Sequence, residues 1–400
     1  MLFYRTIFYF FQMKLKSIPK QVVILSLVSL FTDIASEMLY PVTPIFLTAV
    51  LGSSMAVVGI IEGIAEITAG LLKGYAGNLS DKIGKRSIFV VIGYSLSALA
   101  KPLPGIFPNI SNVVISRTTD RVGKGIRTAP RDALLGSYSE GNSGAIFGFH
   151  RGMDTLGAAI GPLAAILLLY LYPENFQLIF LAAFIPSIVA VTFTFLVKDR
   201  SLTRKNKSHL NYAKFWKSAP KQYKVLLVLI VTFSFVNSSD VFLILKSKYI
   251  SGSDTLAIFG YVFYNLIYAG ASYPFGKLSD RFGKNLIFGI GLLIFSLIYF
   301  GFALSTEMVF IWILFALYGI YSASTEGISK AWISDLVPDE MRGSAIGLIT
   351  MLSSFSIMLG SFTAGVLWDS FGSTIPFLLS AVVSLIIGVL ILMLKFERKN

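Results

Sequence analysis

Gly77-Asn78-Leu79-Ser80-Asp81-Lys82-Ile83-Gly84-Lys85, at residues 77–85, returns 199 residues later as Gly276-Lys277-Leu278-Ser279-Asp280-Arg281-Phe282-Gly283-Lys284. The same displacement pairs Gly144 with Gly343, Gly148 with Gly347 and Gly161 with Gly360. One register held across so many residues indicates two homologous halves rather than two similar loops. Each copy lies between long apolar stretches. Glycine permits a tight turn and close helix approach, and the aspartate is placed to cap the next helix and meet its positive dipole end.

The chain around this element is 400 residues long, 55% hydrophobic and 14% charged, with mean hydropathy +0.74. Soluble domains carry about 25% charged residues. Apolar stretches at 21–49, 56–79, 87–106, 110–134, 144–171, 177–197, 223–249, 255–279, 285–304, 308–334, 344–368 and 375–395 are read as twelve spans. Each is of the length that crosses about 30 Å of hydrocarbon as a helix, and none shows the alternation of a barrel strand. The expected fold is an all-α membrane protein. Segment 1–20 is cytoplasmic, 21–197 is a first six-helix bundle, 198–222 a basic cytoplasmic linker and 223–395 a second, pseudo-symmetric six-helix bundle.

The formal net charge of +13 reports orientation. Arg5, Lys14, Lys16 and Lys20 precede the first span, and eight Lys and Arg crowd 198–222. Alternate turns such as Gly52-Ser53-Ser54 carry almost none. By the positive-inside rule both termini and the linker are cytoplasmic in an inner membrane, and the charge is not a nucleic-acid footprint. No cleavable signal peptide is read. Met13-Lys14-Leu15-Lys16 has the character of an ordinary start, so residues 1–12 read as an over-long gene start or a short interfacial helix. With no cysteine, thiolate and zinc–cysteine chemistry are excluded, and no metal or cofactor is expected. The absence of G-x-x-x-x-G-K-[ST], H-E-x-x-H and G-x-S-x-G argues against nucleotide-driven transport and against a membrane enzyme.

The element at 77–86, completed by Lys85-Arg86, resembles the signature loop between helices 2 and 3 of the major facilitator superfamily. The second copy departs from it at Asn285. The resemblance implies two halves rocking about a central cavity, with Gly77, Asp81, Gly84, Arg86, Gly276, Asp280 and Gly283 forming a cytoplasmic latch. Gly157-Ala158-Ala159-Ile160-Gly161-Pro162 resembles the G-x-x-x-G-P signature of the drug–proton antiporter branch. That implies a switching role for Gly157, Gly161 and Pro162 at the interface between halves. The glycine pair expected next is replaced by Leu163 and Ala164.

Charge inside the spans marks function or pairing. Asp120, Lys124, Arg127 and Arg131 fall at i, i+4, i+7 and i+11 on one helical face, with Arg117 and Arg121 beside them. Spans 1–5 were counted as seven acids (Asp33, Glu37, Glu62, Glu66, Asp120, Asp132, Asp154) against seven bases (Lys73, Arg117, Arg121, Lys124, Arg127, Arg131, Arg151). Asp33, Glu37, Glu62, Glu66 and Asp154 are the proton-coupling candidates. Arg117, Asp120, Arg121, Lys124, Arg127 and Arg131, with Glu326 and Lys330 of the second half, are the cavity candidates. At the repeat displacement Glu326 matches Arg127 and Lys330 matches Arg131. This suggests a Glu326–Arg127 gate pair and an anion clasped by Lys330 and Arg131. Tyr261, Tyr264, Asn265 and Tyr268 form a stripe that fits a binding wall or simple packing. The expected activity is secondary transport of a small solute by a monomer in the lipid bilayer, proton-coupled and outward. Uptake or exchange of an organic anion is the alternative.

Overall fold

A computed structural model describes residues 18–53, 55–200, 212–237, 240–252 and 254–394. The reading of residues 1–12 falls outside them. The described residues form twelve long helical passes: α1 Lys20–Thr48, α2 Met55–Ile83, α3 Arg86–Ile106, α4 Ile110–Ser137, α5 Ser143–Leu171, α6 Phe176–Thr194, α7 in two pieces Lys221–Val236 and Val241–Ser251, α8 Asp254–Phe282, α9 Lys284–Leu304, α10 Met308–Leu336, α11 Arg342–Phe371 and α12 Thr374–Met393. The repeat is carried into their bounds. α2 and α8 begin and end 199 residues apart, and α4 and α10 end 199 apart. By length and apolar composition eight helices among the described residues qualify as spans, and a ninth does if the bent pair Tyr212–Ser218 and Lys221–Val236 is one.

Four spans read as continuous are interrupted, α1 before Pro41 and α6 at Ala183 as well as the two that follow. α3 is interrupted at Pro102, where the ring removes a donor. α7 stops at Val236 and resumes at Val241. There Asp240 accepts hydrogen bonds from Tyr264 (2.9 Å) and Tyr318 (2.7 Å), holding the resumed segment onto α8 and α10.

The halves are packed differently inside. The second has one large apolar core, with Phe233, Phe295, Tyr299, Phe302 and Phe377 stacked along it. The first has two separate cores. One gathers Val22, Leu25, Val90, Tyr94, Leu135 and Phe147; the other gathers Met38, Phe46, Val113, Ile179 and Phe180. Between them runs a belt of charged side chains from α1, α3, α4 and α5. Polar groups displace a continuous core because each needs a partner once it leaves water. Outward faces carry exposed Leu99, Ile185, Phe195, Leu297, Phe362 and Met393, the surface a helix bundle presents to lipid.

Candidate functional site

The turns at 81–86 and 280–284 lie at one end of the bundle, and here the halves cap each other. Asp81, at the end of α2, accepts from the backbone N–H of Gly343 (3.2 Å) and Ser344 (2.6 Å) and from the Ser344 hydroxyl (2.9 Å), at the start of α11 in the other half. Asp280, at the end of α8, accepts from the N–H of Gly144 and Ala145, both at 2.8 Å, at the start of α5. The first N–H groups of a helix lack internal partners and carry the positive end of its dipole, so a carboxylate there is doubly favoured. The expectation that Asp81 caps the next helix is therefore corrected. The start of α3 is occupied by Asp199, which accepts from the N–H of Arg86 and Ser87, both at 2.9 Å. Gly84 and Gly283 turn the chain at φ +72° and +105°, which directs the aspartates across the interface. The helix pairs can approach this closely because Gly77 sits on the Gly343 carbonyl and Gly276 on the Gly144 carbonyl, with no room for a Cβ.

Arg86 is buried and joins three segments. It pairs with Asp81 (3.1 Å) and Asp339 (3.2 Å) and donates to the Ala133 carbonyl at 3.3 Å. In the second half Lys284 pairs with Asp280 at 3.1 Å and Asp335 at 2.8 Å, both of its own half. With Asn285 at the place of Arg86, only the first copy carries an ion pair from this turn to the opposite half. The short helix Tyr212–Ser218 also closes this end, its Tyr212 hydroxyl donating to the Gly74 carbonyl.

Beyond the caps a cavity of about 660 Å³ opens between the halves. Lys73, Arg121, Lys124, Arg127, Arg131, Arg151 and Lys330 line it, against Asp33, Asp154 and Glu326. Seven bases face three acids. The balance counted from the sequence does not survive folding, because the acids are partly turned away. Asp120 leaves the cavity to pair with Lys101 on α3 at 3.1 Å. With Arg117 it lines a separate small cleft against α1 and α6. Lys101 is a further base inside the spans, and a lone lysine within an apolar span is itself a signal.

The cross-interface pairs also differ from expectation. Glu326 lies 3.4 Å from Arg151, not on Arg127. Arg127 instead donates to the Ser97 hydroxyl at 2.6 Å and stands over the Tyr94 ring, 4.3 Å from its centre. α3 and α4 meet closely at Gly93, where a Cβ would lie 2.7 Å from the Arg127 Cβ, so this side chain is held on its own half. Lys330 and Arg131 do meet, but through Asp132. Lys330 approaches it at 2.7 Å, while Arg131 donates to it from Nε (3.0 Å) and approaches through Nη2 (2.9 Å). Arg131 is further fixed by Ser29 and Tyr94, each at 3.2 Å.

Asp154 receives Arg151 at 2.7 Å and the Ser29 hydroxyl. Asp33 stands on the same stretch of cavity wall. Glu37 does not line the cavity, and its Oε2 has no hydrogen-bond partner. Glu62 and Glu66 lie on α2 with side chains outside the described set. Tyr264 and Tyr268 are buried and bonded to Asp240 and Arg151 respectively.

Gly157 and Gly161 pack on α1 of their own half, not on the opposite half as the antiporter resemblance implies. A Cβ on Gly161 would lie 2.7 Å from the Ile34 carbonyl oxygen, 2.8 Å from the Glu37 Cβ and 2.9 Å from the Met38 nitrogen. Backbone atoms cannot yield as a side-chain tip does. Gly161→Leu is expected to destabilise the first half by about 1–3 kcal/mol or more. A melting curve of the purified protein in detergent should fall by several degrees; an unchanged midpoint would show that α1 and α5 separate freely.

The profile of the Major Facilitator Superfamily matches residues 25–252 and 225–400. The chain belongs to that family, and it is a membrane transporter. An uncharacterized MFS-type transporter of Methanocaldococcus jannaschii is 34% identical over 384 residues, covering 94% of this chain and 95% of the relative. Among solved structures, a human organic anion transporter superposes with TM-score 0.79 at 14% identity, covering 93% of this chain and 100% of that one. A proton:xylose symporter superposes at 0.76, also at 14% identity, covering 93% and 94%.

Proposed function

We propose that the chain carries an anionic small solute by alternating access, with transport coupled to protons on the Asp33–Asp154 pair. The observation that supports the solute class is the cavity itself, whose seven bases outnumber its three acids. A low-dielectric cavity with surplus positive charge favours an anion and repels a cation. This reverses the order drawn from the sequence, which put general export first and an organic anion second. The organic anion transporter among the structural neighbours agrees, although at 14% identity it shares the fold alone.

The coupling reading rests on position. Asp33 and Asp154 are the first half's carboxylates on the cavity wall, where a proton and the solute compete for them. Arg151 is bound to Asp154 and also reaches Glu326 in the other half, at 2.7 and 3.4 Å. Adding a proton to the pair weakens its hold on Arg151, which then favours Glu326 or the solute. Protonation is thereby tied to contact between the halves. In the described conformation the capped end is shut. The Lys and Arg pattern assigns that end to the cytoplasm of an inner membrane, with both termini there. Export in exchange for protons rests on the sequence of the antiporter-like stretch alone, since its glycines pack within the first half, and a monomer suffices because one chain encloses the cavity.

The test is flux of an anion into liposomes driven by a pH gradient. Asp33→Asn should cut gradient-driven accumulation at least about tenfold while leaving anion exchange partly intact. Accumulation that persists in Asp33→Asn combined with Asp154→Asn moves the proton elsewhere; the sign of the gradient that drives accumulation gives the direction. For orientation, single cysteines at Ser53, Lys207 and Ser253 are informative because the native chain has none. The first and third should react with an external thiol reagent and Lys207→Cys should not; the reverse pattern would invert the topology.

A further inference from the structure

The two walls of the cavity differ in kind. Six of its seven bases belong to the first half. Seven of its serines and threonines belong to the second, against Thr128 alone from the first. Their hydrogen bonds show what they offer. Ser234 donates to the Ile230 carbonyl at 2.8 Å, Thr325 to that of Tyr321 at 2.9 Å, Ser329 to that of Glu326 at 2.9 Å and Thr350 to that of Ile346 at 2.5 Å. Ser354 accepts from Lys73 at 3.1 Å. A hydroxyl has one proton and two lone pairs. In Ser234, Thr325, Ser329 and Thr350 the proton is spent on their own helix, so these four present acceptor oxygen to the cavity. The first wall is therefore rich in ammonium and guanidinium donors, and the second in hydroxyl acceptors.

We infer that the transported solute is an organic anion bearing several hydroxyl groups; this rests on the anion reading above and narrows it. The anionic end meets the bases of α4. The hydroxyls donate to the oxygen-lined wall of α7, α10 and α11. A plain aliphatic anion would strip water from those acceptors and return nothing, which a site built to bond hydroxyls penalises strongly. An ammonium group at the far end is disfavoured because the acid of that wall, Glu326, already faces Arg151.

The probes are matched pairs of one charge and one chain length: gluconate with hexanoate, and glycerate with propionate. Stabilisation of the purified protein against heat reports their binding. The hydroxylated member of each pair should act at about tenfold lower concentration or better. Replacing both Ser329→Ala and Ser353→Ala should narrow that ratio to about threefold or less. If hexanoate and propionate bind as tightly as their partners, the hydroxylated-solute inference falls while the anion reading stands. If none of the four anions stabilises the protein, both fall.

Discussion

Arg131→Gln should lower flux of an anionic solute at least about a hundredfold, and Arg131→Lys should recover little of it. Arg131 lines the cavity and is held in one pose by Asp132, Ser29 and Tyr94. A guanidinium serves several partners at fixed angles, whereas an ammonium acts as a point charge. Glutamine removes the charge and leaves Asp132 to Lys330 alone. Truncating one member of a buried hydrogen-bonded charge group costs about 3–5 kcal/mol, which is about two to four powers of ten. The check is counterflow of an anion in proteoliposomes beside a melting curve, so that lost transport is separated from lost fold. A folded Arg131→Gln protein with native flux would remove this residue from the solute's path.

Asp81→Asn together with Asp280→Asn should open the capped end. Each carboxylate accepts two backbone N–H bonds from the opposite half. Charge-assisted bonds of this kind contribute about 2 kcal/mol per cap, so both together shift the balance of states by about a thousandfold. Asparagine keeps the shape but offers one acceptor oxygen and no charge. Spin labels on cysteines replacing the exposed Lys82 and Glu340, one on each half, should move apart in the double variant. Turnover should fall more than solute affinity, since the cavity is untouched. An unchanged label distance would mean that the remaining bonds, Tyr212 to Gly74 among them, hold this end shut without the caps.

Much of the fold was legible because lipid leaves few options: a long apolar run must satisfy its backbone alone, and helices do so. The halves were legible because the repeated turn preserved its register. The partners were not. Sequence spacing places Asp81 near α3, but it cannot show that Asp199 already fills that helix start. Nor can it show that α11 lies alongside α2, with its start against the end of that helix. The same limit explains the Arg127 error. Repeat symmetry aligns Glu326 with Arg127 along the chain, whereas close packing at Gly93 ties Arg127 to Tyr94 and leaves Arg151 to reach across. Asp33 and Asp154 were each legible as acids in a span. That they share one stretch of cavity wall depends on α5 crossing α1 at Gly157, where a Cβ would lie 3.1 Å from the Asp33 Cβ. The break at 237–240 carries no proline or glycine, but its run Asn-Ser-Ser-Asp is a turn signal inside an apolar span.

The reciprocal caps have the symmetry of a twofold dimer. Asp81 binds the start of α11 and Asp280 the start of α5, and these four sites are two copies of one contact separated by a single displacement in the chain. In an isologous interface residue i of one subunit meets j of its twin, and j meets i. A six-helix ancestor with one such turn and one such helix start would close on a second copy of itself through both caps at once. The single chain carries both copies of that contact, although one half gathers the buried charge and the other the aromatic core.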